Sequence, residues 1–253
     1  MPRSDVGVIV ALADKLETLV GLFGIGQLPT GDKDPFALRR HALGVLKLMM
    51  HYKYPASLEQ IVIVAMTPFV GKADVRESLL PFMLDRFRGM MLEAGYGPLE
   101  IEAVISSSNA VYSSPALSAP LYKAIENLAA VRAFAKLPEA LNLADANKRI
   151  NNILNKADGY PTAANPTLFE LDAEKDLYAQ MQKAKTEFDR YAAKGDLTNA
   201  LVSLAQLKSP VDKFFKDVMV NVEDQHIRSN RLGLLEELYL LMNQVADLSK
   251  LAA

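Results

Sequence analysis

One stretch of the sequence combines cations and amides at helical spacing, and this combination is suited to binding phosphate groups. From Leu143 it reads Leu-Ala-Asp-Ala-Asn-Lys-Arg-Ile-Asn-Asn-Ile-Leu-Asn-Lys, so at about 100° per residue the apolar side chains share one side of a helix. The polar side chains opposite and on the flanks are Lys148, Arg149, Asn152, Asn155 and Lys156. Cations attract phosphate, and amides hydrogen-bond to phosphate, ribose or base edges. A solvated helix face has the same composition and is the alternative interpretation.

Residues that could support metal or phosphate-loop chemistry are few. The chain has no cysteine, and its three histidines have no metal-ligand spacing. Asp14 lies in a segment that resembles the last metal-ligand segment of HD-type phosphohydrolases, but a single carboxylate does not hold a catalytic metal, and we expect Asp14 to form an ion pair or hydrogen bond on a helix face. The glycines at positions 21, 24 and 26 follow a helical pattern and precede no Gly-Lys-Ser/Thr, which indicates a helix end and turn.

A charged residue interrupts the apolar pattern of the last predicted helix. Arg231 lies seven residues before Leu238 and falls on the same face. Because a buried cation needs a partner, we expect it to pair with Asp217, Glu223 or Asp224. Upstream of this helix, packing is the expected fate of the apolar residues, and we predict five of them to be core: Phe214, Phe215, Val218, Met219 and Val220.

Helical periodicity dominates the whole sequence and predicts an all-α fold. Capping signals place several helix ends: Ser4, Asp34 before Pro35, Ser57 with Gln60, and Asp224 at N-termini, and Gly95 at a C-terminus. We predict helices over about residues 4–23, 35–52, from 57, 72–94 with a kink at Pro81, 98–105, 115–134, 138–156, 173–193, 197–207, 211–218 and 225–250. Residues 218–222 could be extended.

Serine-rich segments near residues 106–109 and 113–115 suggest a division into residues 1–108 and 109–253. The net charge of -2 and the pI of about 6.0 exclude a polybasic chain, although a local basic patch is compatible with them. No signal peptide and no apolar run long enough for a bilayer is evident. We expect a cytoplasmic protein without a membrane partner, and the abrupt helical start suggests a fragment of a longer one.

Two motifs in the second half resemble the DALR anticodon-binding domain shared by several class I aminoacyl-tRNA synthetases. They are Lys-Arg-Ile-Asn-Asn-Ile-Leu from Lys148, and Phe-Phe-Lys-Asp-Val-Met-Val from Phe214 followed by Asn-Arg-Leu from Asn230. The first half is similar to the bacterial glycyl-tRNA synthetase β subunit in three segments. These are Ala-Leu-Ala-Asp-Lys-Leu from Ala11, Pro-Thr-Gly-Asp-Lys-Asp-Pro-Phe-Ala-Leu-Arg-Arg from Pro29, and Asp-Arg-Phe-Arg-Gly-Met-Met-Leu-Glu-Ala-Gly-Tyr from Asp85.

The resemblance implies the C-terminal part of such a subunit: the helical tail of an HD-like domain, followed by a helical-bundle anticodon-binding domain. It implies tRNA-Gly and a glycyl-tRNA synthetase α subunit as partners, in an α2β2 heterotetramer. ATP and magnesium are used by that holoenzyme, and we expect no cofactor, catalytic residue or metal in the fragment. On this basis the polar face at residues 148–156 becomes a predicted tRNA-binding face. A non-catalytic helical protein-interaction module is the alternative function, and the missing ligands argue against a phosphohydrolase fragment.

Overall fold

The computed structural model describes residues 1–69, 71, 73–106, 119–157 and 163–252. These residues form helices joined by turns, with isolated bridges but no named strand among them, which confirms the all-α prediction. The chain divides into two compact units. The first contains Met1–Ile101 and residues 119–126, and the second contains Glu102–Ser106 and the described chain from Asn127 onward. The predicted boundary between residues 108 and 109 lies outside the described residues.

The first unit is built on amphipathic helices. Helix α1 (Asp5–Gly24) begins at the predicted cap, where the Ser4 hydroxyl accepts from Gly7 N at 3.2 Å. Its buried side chains include the predicted Val8, Leu12, Leu16, Leu19 and Phe23. The predicted capping box of α3 (Leu58–Met66) is also present, with Ser57 and Gln60 bonded reciprocally. The helices are α1 Asp5–Gly24, α2 Leu38–His51, α3 Leu58–Met66, α4 Arg76–Glu93 and α5 Pro98–Ile105.

Helix α2 begins three residues later than predicted. A turn closed by Ala37 N and Asp34 O precedes it, and Ala37 has a positive φ of 54°. The Asp34 carboxylate still caps the helix, because it accepts from Leu38 N at 2.8 Å and from Arg39 N at 3.0 Å. The predicted N-cap position is therefore wrong, since Ala37 occupies it and Pro35 is not the first helical residue, but Asp34 does supply the capping hydrogen bonds.

The second unit buries a core formed by its longer helices. Helix α7 (Ala140–Leu154) packs against α10 (Lys208–Asp217) and α11 (Gln225–Met242), and α8 (Asp172–Ala192) packs against α9 (Leu197–Ser203) and α10. The helices are α6 Leu121–Ala135, α7 Ala140–Leu154, α8 Asp172–Ala192, α9 Leu197–Ser203, α10 Lys208–Asp217 and α11 Gln225–Met242, with 3-10 turns at Pro166–Leu168, Leu204–Leu207 and Leu248–Leu251. Helices α5 and α6 contribute residues to both units. Among the described helices, none combines the length and hydropathy of a membrane span.

The last helix ends earlier than the predicted residue 250. It stops at Met242, and Asn243 is the C-cap residue, whose backbone N–H still donates to Tyr239 O while its side chain bonds the residues on both sides of the helix end. Its Oδ1 accepts from Leu248 N at 3.0 Å, and its Nδ2 donates to Tyr239 O at 2.8 Å. Val245, predicted on the helix face, is instead buried in the turn that follows.

Candidate nucleic-acid interface

Helix α7 displays the predicted polar face to solvent. Lys148, Arg149 and Asn152 are exposed along the helix, Asn155 is its exposed C-cap residue, and the exposed Lys156 follows. The predicted apolar face on the opposite side is confirmed, because its residues Leu143, Ala146 and Ile150 are buried. The five polar residues therefore share one accessible surface, and their role in binding RNA stays a prediction.

Asn147, which anchors the buried side of α7, was not identified from the sequence. Asn147 is fully buried and exchanges two hydrogen bonds with Asn243, at 2.8 Å and 3.1 Å. The sequence could have predicted its burial, because Asn147 lies four residues after Leu143 and three before Ile150, on the apolar side of the helix. The reciprocal amide pair holds α7 against the turn that follows α11.

Arg149 lies over an aromatic ring that was predicted to be core. Its guanidinium carbon is 4.1 Å from the centroid of the Phe215 ring, a cation–π contact. Phe215 is half-buried and Met219 is 71% exposed, so the core prediction is wrong for these two residues. It is confirmed for Phe214, Val218 and Val220, which are buried.

The end of α10 explains why Met219 points outward. The helix stops at Asp217, and Val218 adopts extended angles of φ -112° and ψ 121°. In extended backbone successive side chains face opposite directions, so Val218 and Val220 enter the core while Met219 faces solvent. The prediction that residues 218–222 could be extended thus holds at Val218, although no strand forms among the described residues.

Two neighbouring grooves meet at the Arg149–Phe215 pair. The first, of about 440 Å³, is also lined by Asn142, Asp145 and Asp212. The second, of about 540 Å³, is also lined by the exposed Met219 and by Asn221. Both grooves include Lys216.

These side chains supply the chemistry needed to bind an unpaired nucleotide. A ring and a guanidinium plane offer stacking surfaces, a lysine attracts phosphate, and amides and carboxylates hydrogen-bond to base edges. The candidate interface therefore extends from the predicted face of α7 onto α10 and the segment after it.

Arg231 is buried as predicted, but its predicted partners are wrong. Its Nε donates to Glu174 Oε1 at 2.7 Å, its Nη2 lies 3.4 Å from Glu170 Oε2, and its Nη1 donates to Met219 O at 2.9 Å. Asp224 instead caps α11, accepting from the backbone N–H groups of His226 and Ile227. Arg231 thereby ties α11 to α8 and to the segment that carries Met219.

The first unit confirms two simpler interpretations. Asp14 is exposed, and its Oδ2 lies 3.6 Å from Lys15 Nζ, which is the expected ion pair on a helix face. The glycines at 21, 24 and 26 mark the end of α1 at Gly24 and the turn after it, where Gly26 has a φ of 75°. Within the described residues, no three His, Asp or Glu side chains converge as a metal site would require.

Comparison with known proteins matches two parts of the chain to two protein families. Residues 1–106 match the family described as glycyl-tRNA synthetase beta subunit, and residues 143–251 match the DALR anticodon binding domain. Along its full length the chain is similar to glycine–tRNA ligase beta subunits, with 52% identity to that of Paracidovorax citrulli and 49% to that of Janthinobacterium sp. strain Marseille. It covers 34% and 35% of those proteins, so it spans about a third of their length.

Proposed function

We propose a tRNA-binding role for this chain, which belongs to the glycyl-tRNA synthetase beta-subunit family over residues 1–106 and carries a DALR anticodon-binding domain over residues 143–251. In this proposal it is the C-terminal region of a glycine–tRNA ligase β subunit, and it binds the anticodon stem-loop of tRNA-Gly. The observation that carries the proposal is the exposed polar face of α7, which continues through Arg149 onto the Phe215 ring and the two grooves.

The geometry suits a single-stranded loop better than a duplex. Bases of a single-stranded loop can be splayed out and read on their edges, whereas the major groove of a regular RNA helix is too deep and narrow for side chains to read. A loop base would stack on the Arg149 guanidinium, which already rests on Phe215. Lys148, Lys156 and Lys216 would contact the neighbouring phosphates, and Asn152 and Asn155 would donate to phosphate or ribose.

Binding of tRNA-Gly at two salt concentrations tests this role. Neutralised phosphates release counterions, so the affinity should fall steeply as salt rises. A tRNA with a replaced anticodon should bind more weakly than tRNA-Gly if the loop bases are read. Equal affinity for both tRNAs would contradict anticodon recognition, and absence of RNA binding would contradict the whole role.

We further propose that the protein acts in the cytoplasm, within an α2β2 assembly with the glycyl-tRNA synthetase α subunit. That holoenzyme would charge tRNA-Gly with ATP and magnesium, and the chain itself would activate no glycine. ATP–pyrophosphate exchange with the purified chain and glycine should stay at background, since robust exchange would require a nucleotide site that its sequence does not provide.

One observation also favours a protein contact in the first unit. Helices α1 and α3 line an apolar groove of about 780 Å³, beside which Ile9 is 58% exposed and Val64 is 68% exposed. Apolar surfaces of this kind are typical of protein–protein contacts. Sedimentation of the chain with the purified α subunit tests whether that subunit is the partner. A salt-insensitive complex without RNA affinity would support the alternative, a protein-interaction module.

A further inference from the structure

Helix α2 carries charges of only one sign. Its sequence, Leu-Arg-Arg-His-Ala-Leu-Gly-Val-Leu-Lys-Leu-Met-Met-His, contains two arginines, a lysine and two histidines but no carboxylate. The chain as a whole has 28 basic and 30 acidic residues, so this concentration is local. Arg40, Gly44 and Lys47 follow the i, i+4, i+7 spacing that places residues on one face of a helix.

This face forms one wall of a groove of about 350 Å³ between α1 and α2. Among the described residues its lining comes from two helices and contains no carboxylate: Lys15, Arg40, His41, Leu43, Gly44 and Lys47. Arg40 and Lys47 are exposed, while the Lys15 side chain is 29% exposed and its Nζ forms the ion pair with Asp14 at 3.6 Å. The Nδ1 atom of His41 is buried and has no hydrogen-bond partner among the described residues.

Gly44 allows Lys15 to reach across to α2. A Cβ atom at position 44 would lie 2.8 Å from Lys15 Cε and 2.9 Å from Cδ, which is closer than atoms pack. Glycine is otherwise unfavourable inside a helix relative to alanine. The missing side chain therefore lets the Lys15 stem lie against α2, beside Arg40 and Lys47.

We propose that this groove binds a phosphate group of an RNA backbone, a second contact that rests on the proposed RNA-binding function. Lysine attracts phosphate as a point charge and arginine binds it through two parallel N–H groups. The groove is open and its outer cations are exposed, which suits a backbone that passes over it. The lining offers no amide or carboxylate for base edges, so the contact should be independent of RNA sequence.

Salt titrations of RNA binding test the groove with charge-matched variants. Arg40→Ala and Lys47→Ala should each lower the slope of log K against log salt by roughly one, both for tRNA-Gly and for an RNA with a different anticodon. Lys33→Ala is the control, because Lys33 is an exposed lysine outside the groove lining and its loss changes the net charge equally.

Gly44→Ala tests the geometry without changing charge. The added methyl group should displace the Lys15 stem, so the affinity should fall while the helix is retained, since alanine favours helix. Lys15→Ala should weaken binding in the wild-type chain but cause little further loss in the Gly44→Ala chain. Additive losses would contradict the proposed placement of Lys15.

Three further outcomes separate this inference from the proposed function. If Lys148→Ala weakens binding but the groove variants bind like Lys33→Ala, the groove proposal is overturned and the anticodon role stands. If the groove variants weaken binding but those of α7 do not, the groove proposal stands and the proposed role of the α7 face is overturned. If the chain binds no RNA, both fail. An amide NMR titration with inorganic phosphate then shows whether the groove takes free phosphate instead, through a saturable shift at Gly44 that is lost in Arg40→Ala.

Discussion

Arg231 Nε and Glu174 Oε1 are 2.7 Å apart in the interior of the second unit, where their side chains are 4% and 0% exposed. The other oxygen of Glu174 accepts from Glu170 N at 3.0 Å and Leu171 N at 2.7 Å, just before α8. One carboxylate thus caps a helix and neutralises a buried cation. The pair joins α8 to α11, because Glu174 and Arg231 are 57 positions apart in sequence and lie on these two helices.

We expect Arg231→Ala to lower the free energy of unfolding by about 3 kcal/mol, because it leaves the buried Glu174 carboxylate without its countercharge. Urea denaturation measures the loss, with Lys213→Ala as an exposed control that should stay within about 0.5 kcal/mol of wild type. Any loss of RNA binding should then follow unfolding. A variant that unfolds like wild type but binds RNA poorly would make Arg231 a contact residue.

The sequence predicted the need for this ion pair but not its partner. A cation on an apolar helix face requires a countercharge, yet none of the predicted acids, Asp217, Glu223 and Asp224, is the partner that Arg231 has in the structure. Glu174 approaches only through the packing of α8 on α11, which periodicity does not specify. The same distinction explains Asp34: its capping role was local and predictable, whereas the start of α2 depended on the turn before it.

The candidate site was likewise predicted in part. Helical phase correctly placed Lys148 and Arg149 on the solvent side, because burial of one face follows from periodicity alone. Hydrophobicity misplaced Phe215 and Met219, since apolar character does not reveal where α10 ends or which ring an arginine covers. The grooves beside Phe215 therefore became visible only in the folded structure.

Arg149 should contribute to RNA binding through both charge and stacking. We expect Lys148→Ala and Arg149→Ala each to reduce the salt slope of tRNA binding by roughly one. Arg149→Lys should preserve the slope but lower the affinity, because lysine lacks the planar guanidinium. Loss of the Phe215 contact should cost Arg149→Ala about 0.5–1 kcal/mol of stability. If Lys148→Ala and Arg149→Ala both bind like wild type, this face is only solvated.

The hydrogen-bonded amides of Asn147 and Asn243 should couple α7 to the turn after α11. We expect Asn147→Ala to reduce the unfolding free energy by about 1–3 kcal/mol, since it removes two hydrogen bonds and leaves Asn243 only those with Leu248 N and Tyr239 O. A double-mutant cycle with Asn243→Ala should reveal a coupling energy of about 0.5–3 kcal/mol. Additive losses in the double variant would show that the two amides do not stabilise the fold jointly.

The cap of α11 should make stability depend on acid pH. The backbone N–H groups of Ile227 and His226 donate to the Asp224 carboxylate and hold its pKa below the ordinary value of 3.8. Below that value the unfolded chain takes up the proton first, so protonation favours unfolding. The stabilisation is therefore complete above pH 3.8 and is lost as the pH falls through the lowered pKa of the folded state.

Asp224→Asn isolates this contribution, because asparagine caps helices about as well as aspartate but does not titrate. Unfolding free energies from urea titrations between about pH 6 and pH 2.5 should therefore fall less steeply in the variant than in wild type, within the range set by the carboxyl pKa values. Asp74 and Asp196, whose pKa values are also lowered, titrate equally in both chains and cancel in the comparison. Parallel curves would show that the hydrogen bonds to Asp224 do not favour its ionised form.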